Sequence, residues 1–367
     1  MRILHVYKDY FPVVGGMENH IRLLAEAQAA AGHDVTVLVT APGVRGNDAD
    51  VNGVRVRRAG RLATAASAPL SPALALALRR EEPDITHLHS PYPVGEAAWL
   101  AFGSRPMVVT YQSDIVRQRV LGRLWAPWLR RTLARADRIL ASSPAYVESS
   151  PFLRRFREKV TVVPLGIDPA RFAAADRSAA RRRFAPDSAP RVAFVGRFRY
   201  YKGLHVLVDA MRLLPEARLM MIGGGPEGPA LRRQAESAGV AERVDWLGEV
   251  PDEDLPAALA AADVFVLPST ARSEAFGIVM LEAMAAGLPL VSTELGTGTS
   301  WINQHGHTGL VVEPGNHEAL AAAINGILAD DDLRQRLGRS ALERVRAEFD
   351  ADQMVERVMA VYEEVML

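Results

Sequence analysis

Residues 273–289 read Ser273-Glu274-Ala275-Phe276-Gly277-Ile278-Val279-Met280-Leu281-Glu282-Ala283-Met284-Ala285-Ala286-Gly287-Leu288-Pro289 and follow the apolar run Val264–Leu267. A short apolar run, a loop with glycine, and a longer apolar stretch stopped by Gly287 and Pro289 predict strand, turn and helix. Glu274 then falls in the loop and Glu282 two turns into the helix. With Phe276 and Gly277 opening the helix, its first amides are free to take an anion, and Gly277 lets a ligand approach the backbone closely. Amides for phosphate beside carboxylates for hydroxyl groups suit a sugar nucleotide. Two glutamates eight residues apart would by themselves describe an ordinary surface helix. The whole string, placed at the C-terminal end of a strand where open sheets bind ligands, favours a site.

The same alternation extends outward in both directions. In the second half, strands are expected at Val192–Val195, Arg218–Ile222, Val244–Leu247, Val264–Leu267, Leu290–Ser292 and Gly309–Val312, with helices between the first five. In the first half, strands are expected at Ile3–Val6, Val35–Val39, Ile85–Leu88, Val108–Thr110, Ile139–Ala141 and Val160–Val163, with helices at Glu18–Ala31, Glu96–Ala101 and Leu124–Ala136. Strands that alternate with helices make parallel sheets the economical solution. The Ala/Arg/Asp/Pro-rich segment between the two series lacks strand periodicity and reads as a linker. The expected organisation is a first Rossmann-like α/β domain over 1–168, a linker over 169–190, a second over 191–349, and a last helix over 350–367 that packs back on the first domain.

Composition narrows the chemistry. At 367 residues the chain is long for one core, and 49% hydrophobic with 23% charged residues excludes a disordered chain. The absence of cysteine excludes disulfides, thiolate metal sites and thiol nucleophiles. No apolar run reaches the roughly 18 to 20 residues of a spanning helix, and Met1–Val6 reads as a strand rather than a signal peptide, so a cytoplasmic protein is expected. The net charge is zero, yet residues 1–185 hold 27 Lys+Arg against 16 Asp+Glu and the remainder 16 against 27. Such asymmetry marks an anionic surface met by one half, or ordinary solubility.

A second string, Gly196-Arg197-Phe198-Arg199-Tyr200-Tyr201-Lys202-Gly203, follows the strand Val192–Val195. Arg197 can fork two oxygens of a diphosphate, and Lys202, the single lysine of the acidic half, supplies a compact charge.

These two strings, in this order, resemble the retaining GT-B glycosyltransferases of the family 4 type, and the likeness spans essentially the whole chain. It includes Gly15-Gly16 after the first strand, Pro164-Leu165-Gly166-Ile167-Asp168 before the linker, and Ile222-Gly223-Gly224-Gly225-Pro226-Glu227. The resemblance implies two Rossmann-like domains facing across a cleft, a nucleoside-diphosphate sugar donor, a glycan or lipid-linked acceptor, and neither cofactor nor metal. It implies that Arg197 and Lys202 hold the donor diphosphate and that Glu274 holds the donor sugar with the amides of Phe276, Gly277 and Ile278. Glu282 would take the ribose hydroxyls and the backbone at Glu249-Val250 the base. Gly15 and Gly16 would let a loop of the first domain approach the diphosphate and sugar. In Thr110-Tyr111-Gln112-Ser113-Asp114, Gln112 and Asp114 fall on the acceptor side, but the family often has histidine where this chain has Gln112. Glutamine bonds a sugar hydroxyl yet neither becomes a cation nor exchanges a proton at neutral pH, so a positioning role is expected. The string Ser292-Thr293-Glu294-Leu295-Gly296-Thr297-Gly298-Thr299-Ser300 looks like bacterial polysaccharide mannosyl- or rhamnosyltransferases, which implies a GDP-sugar. A sugar-nucleotide 2-epimerase and a non-catalytic sugar-nucleotide-binding protein stay open as alternatives.

Four weaker signals complete the reading. Asp48-Ala49-Asp50 reads as a polar loop and Asp252-Glu253-Asp254 as a helix start rather than metal-binding pairs. His87 and His89 alternate on a strand, face one side, and read as core or cleft-wall residues without a third ligand. Gly223-Gly224-Gly225 lacks the spacing of a dinucleotide fingerprint. The stretch 117–138 carries Arg117, Arg119, Arg123, Arg130 and Arg131 with Trp125 and Trp128, interrupted by Pro127, which suits a helix docking on anionic lipid. Peripheral contact with the inner face of the plasma membrane is therefore expected, and no nucleic acid.

Overall fold

The structure, a computed structural model, describes residues 1–13, 15–65, 68–114 and 119–367. The chain forms two compact units, Met1–Leu165 with Ala351–Leu367, and Gly166–Asp350.

In the first unit the strands are β1 (Arg2–Val6), β2 (Asp34–Thr40), β3 (Asn47–Val51), β4 (Val54–Ala59), β5 (Ala63–Ala65), β6 (Ala68–Leu70), β7 (Ile85–Ser90), β8 (Met107–Tyr111), β9 (Arg138–Ala141) and β10 (Val160–Val162). Among the described residues, eight form one sheet in the order β10-β9-β8-β7-β1-β2-β4-β3, and β5 and β6 pair separately. Every neighbouring pair in the large sheet is parallel except β3 with β4. The second unit holds β11 (Arg191–Val195), β12 (Arg218–Ile222), β13 (Val244–Gly248), β14 (Val264–Leu267), β15 (Leu290–Thr293) and β16 (Gly309–Val312). They form an all-parallel sheet in the order β13-β12-β11-β14-β15-β16. Central strands such as β8, β14 and β15 are buried at every residue, as parallel strands covered by helices on both faces must be. In the second sheet the strand order reverses between β11 and β14. In open α/β sheets such a reversal point is where a ligand crevice forms, at the carboxyl ends of the strands.

Three expectations need correction. Asp48 and Asp50 lie in an edge strand, not a loop: Asn52 (φ 54°) and Gly53 (φ 81°) form a two-residue hairpin turn that pairs β3 antiparallel to β4. Asp48 there makes an ion pair with Arg57. The segment 169–190 is no bare linker. It carries the helices Ala170–Ala173 and Arg177–Phe184, the second pinned to the second unit by Arg177 and Arg181 on Asp263, at 2.6 and 3.0 Å. Pro127 does not interrupt its helix, which runs Arg119–Arg135. One lost backbone hydrogen bond is offset there by Leu129 and Leu133, which are buried, and by Trp125, whose indole N–H donates to Glu96 Oε2 at 2.5 Å.

The final helix, Ala351–Met366, belongs to the first unit. It buries Met354, Val358, Val361 and Tyr362, and the Tyr362 hydroxyl meets His87 Nδ1 at 2.5 Å.

Candidate active site

Both loops that border the crevice of the second unit are built around glycine. After β11 the chain turns at Gly196 (φ 141°), and Gly203 (φ 67°) opens the helix Leu204–Ala210. A side chain at 203 is excluded twice: the backbone is left-handed, and a Cβ would lie 2.0 Å from the carbonyl oxygen of Pro268, the first residue after β14. This close approach of the two loops delivers Lys202 to Glu274. Their Nζ and Oε2 atoms are 2.5 Å apart, and both residues are buried. Burial works against the ammonium, but the Glu274 carboxylate outweighs it, so Lys202 is held above the usual lysine range. An ammonium has three donors, which leaves two for the oxygens of an anion. Arg197 is exposed and has no ion pair or hydrogen bond among the described residues.

Beyond Glu274, Phe276 is buried edge-on against Phe349 at 6.3 Å, and Gly277 (φ 83°) caps the helix Ile278–Ala285. The amides of Phe276, Gly277 and Ile278 have no acceptor among the described residues, so this end of the crevice presents three free N–H groups. Part of Glu282 stays exposed, but protein encloses its carboxyl. Burial, reinforced by Asp252 and opposed by Arg171, pushes its pKa up to about 7. Val250 lies past β13, two strands out from β11. The residues picked out in the second half thus stand along the carboxyl ends of one sheet, with the two strings on either side of its reversal point.

Residues 176–344 match the family Glycosyl transferases group 1, and residues 14–171 match Glycosyltransferase Family 4. The D-rhamnosyltransferase WbpZ of Pseudomonas aeruginosa is 38% identical over 96% of this chain and 93% of its own. The chain belongs to the glycosyltransferase group 1 family. The O-antigen chain mannosyltransferase C of Escherichia coli is 37% identical, covering 99% of this glycosyltransferase and 98% of that protein. A sucrose-phosphate synthase structure from Thermosynechococcus elongatus superposes with a TM-score of 0.85 at 25% identity, covering 99% of this chain and 98% of that one. The fold is GT-B, and the glycosyltransferase is an enzyme. The epimerase and the non-catalytic binding protein are thereby set aside.

In the first unit of the glycosyltransferase, Gly15 precedes the helix Gly16–Ala30, and a Cβ on it would lie 2.2 Å from Glu18 Oε2. Gln112 follows β8, its backbone N–H donating to the Ser90 carbonyl at 2.9 Å. The Gln112 Nε2, His20 Nδ1 and Ser142 Oγ atoms are buried and have no partner among the described residues, and all three residues line one small cavity. Asp114 has its Oδ1 engaged by the hydroxyls of Tyr111 and Ser150, each at 2.8 Å, so this carboxylate braces the loop. Of the basic stretch, Arg117 and the side chains of Arg119 and Arg123 lie outside the described residues. Trp128 (51% exposed), Arg130 and Arg131 face solvent, whereas Trp125 is half-buried and tied to Glu96. No local pattern announces that tie, because Glu96 lies 29 residues away.

His87 and His89 do have a third histidine beside them. Nitrogens of His5, His87 and His89, all buried, lie within 4.8 Å of one another. The hydrogen bonds identify the cluster as core. The Gln28 amide oxygen accepts from His5 Nε2 at 2.8 Å, so His5 Nδ1 is the acceptor for His89 Nε2 at 3.1 Å. His87 is engaged at both nitrogens, by Tyr362 and Thr110, at 2.5 and 2.6 Å. A metal ion would have to break this network. Burial, partly offset by the Gln28 hydrogen bond, lowers His5 to about 4, which keeps it neutral.

Proposed function

We propose that this glycosyltransferase moves a hexose, mannose or rhamnose, from a GDP-sugar to a lipid-linked or oligosaccharide acceptor in polysaccharide or glycolipid synthesis, with retention and without a metal. The observation that carries the reading is the Lys202–Glu274 pair at the point where the second sheet reverses, with Arg197 on the Lys202 loop and the amides of 276–278 unpaired among the described residues. WbpZ and mannosyltransferase C supply the sugar and the biosynthetic setting by their names. As the bond from the sugar's anomeric carbon to the phosphate oxygen breaks, charge develops on the diphosphate. Arg197, Lys202 and the amides of Phe276, Gly277 and Ile278 are placed to stabilise it, the task a divalent ion performs elsewhere. Glu274 accepts hydroxyls of the sugar, Glu282 those of the ribose, and the backbone at Val250 meets the base. The acceptor hydroxyl attacks from the face the diphosphate leaves, and its proton passes to the departing phosphate oxygen. Gly15 and Gly16 belong to the donor side, facing the diphosphate and sugar, and Gln112 to the acceptor side.

A panel of UDP-, GDP-, ADP- and dTDP-sugars tests this by thermal shift and by release of nucleoside diphosphate, with and without EDTA. The true donor at a hundredfold its Kd adds about 2.7 kcal/mol of stability. GDP-mannose or GDP-rhamnose is expected to give that shift, with turnover indifferent to EDTA. Loss on chelation, restored by magnesium or manganese, would refute the metal-free mechanism.

Glu282 makes donor binding pH-dependent. Ribose hydroxyls donate to the ionised carboxylate, and because its pKa is raised to about 7, the protonated form dominates the free protein below that pH. The donor KM is expected to be flat well above pH 7 and to rise below it toward a plateau about tenfold higher. Glu282→Gln should raise KM at pH 8 by about tenfold and abolish the slope, with kcat much less affected. A flat profile in the unmodified enzyme from pH 6 to 8 would remove Glu282 from the ribose.

The basic helix is proposed as a peripheral membrane contact. Binding to anionic, not neutral, vesicles should weaken with salt, since each arginine near a charged surface adds only about 1 kcal/mol. Replacing Trp128, Arg130 and Arg131 by serine should abolish co-sedimentation and leave donor binding intact. Unchanged sedimentation would point to a soluble acceptor.

A further inference from the structure

Glu274 lies in a loop held by neither strand nor helix, yet its carboxylate has to meet both Lys202 and a sugar. Four buried hydroxyls form an arc around that loop, three of them bonded to it and the fourth to the strand beside it. Ser269 Oγ donates to Glu274 Oε2 at 3.2 Å, the oxygen Lys202 already takes at 2.5 Å. Thr297 Oγ1 donates to the Glu274 carbonyl at 2.8 Å, and Thr293 Oγ1 donates to the Ser269 carbonyl at 2.5 Å. Thr299 Oγ1 donates to the Thr293 carbonyl at 3.3 Å and sits 3.3 Å from Thr297 Oγ1. All four residues are at most 2% exposed. A hydroxyl has one proton, so with Thr297 and Thr299 both committed to carbonyls their mutual contact is packing. Every proton of the arc is spent on segment 269–274 or on the strand that supports it. The staple Gly298 N to Ala275 O, at 2.7 Å, reinforces the same join. Buried hydroxyls cost desolvation that valine or alanine would avoid, so three on one loop and a fourth on its supporting strand point to orientation.

We propose that Ser269 and Thr297 are positioning residues for Glu274. Ser269 shares Oε2 with Lys202 and thereby reserves Oε1 for the donor sugar, while Thr297 sets the depth of the loop through the Glu274 carbonyl. The segment 293–299 therefore acts on the sugar through Glu274. This inference rests on the reading of Glu274 as the sugar-binding carboxylate.

The test uses the full chain and the nucleotide sugar selected by the donor panel, GDP-mannose first. Thr297→Val and Ser269→Ala are expected to lower kcat about tenfold to a hundredfold with donor KM within about threefold, and Thr297→Ser to restore kcat. A merely structural threonine would show lowered thermal stability without that split. A crystal structure of Thr297→Val, which needs no ligand, should show the Glu274 carboxylate withdrawn from Lys202. Normal kcat in both variants beside an impaired Glu274→Gln overturns the positioning role and spares the parent reading. Normal kcat in Glu274→Gln overturns the parent reading itself, and an undisturbed pair in the Thr297→Val crystal counts against the arc.

Discussion

Lys202→Ala should cut turnover at least about a hundredfold, the usual cost of losing one preorganised donor at a developing charge, and should also destabilise the second unit. The stability loss arises because Glu274 is left as a buried carboxylate without its partner, a change worth about 3 to 5 kcal/mol. Arg197→Ala should reduce turnover to a similar degree and leave stability within about 0.5 kcal/mol, because Arg197 is exposed and holds nothing in the free protein. The contrast is the informative part. A Lys202→Met, Glu274→Leu double variant should regain much of the stability and none of the turnover. Near-normal turnover in both single variants would remove the diphosphate site.

Gly203→Ala is expected to be nearly as damaging to activity, although it touches no ligand. Alanine at φ 67° costs about 1 to 2 kcal/mol, and its Cβ, 2.0 Å from the Pro268 oxygen, forces the two crevice loops apart. Lys202 and Ser269 flank that contact, so the Lys202–Glu274 pair opens. Loss of turnover on the order of a hundredfold follows from an ångström of misplacement. Kinetics together with a crystal structure decide the matter: normal turnover with the loops unmoved means the contact is incidental.

Much of the fold was legible because parallel strands buried on both faces are runs of apolar residues, and twelve such runs are found in both readings. The antiparallel hairpin was readable too, from Asn52-Gly53 between alternating residues, but the acidic pair Asp48 and Asp50 disguised an edge strand as a loop. The helix His317–Ala329 is likewise announced by its Asn316 cap, although the sequence reading assigns no element there. The two strings of the second unit are legible because each lies in the segment that leaves a strand, after Val195 and after Leu267. What no local pattern carries is long-range pairing. Trp125 with Glu96, His5 with His89, and Thr297 with Glu274 are joined across 29, 84 and 23 residues, so nothing near either partner announces the bond.

The helix Ala351–Met366 completes the first unit, whereas Gly166–Asp350 forms the second without interruption. On the ribosome this inverts the customary order, in which the earlier domain finishes first. The second unit has its whole sequence while the first still waits for Val358 and Tyr362, with the surface around His87 uncovered. A chain released before residue 351 carries a finished second unit joined to an unfinished first one. Synthesis of the helix Ala351–Met366 is thus a condition for folding of the part made earliest.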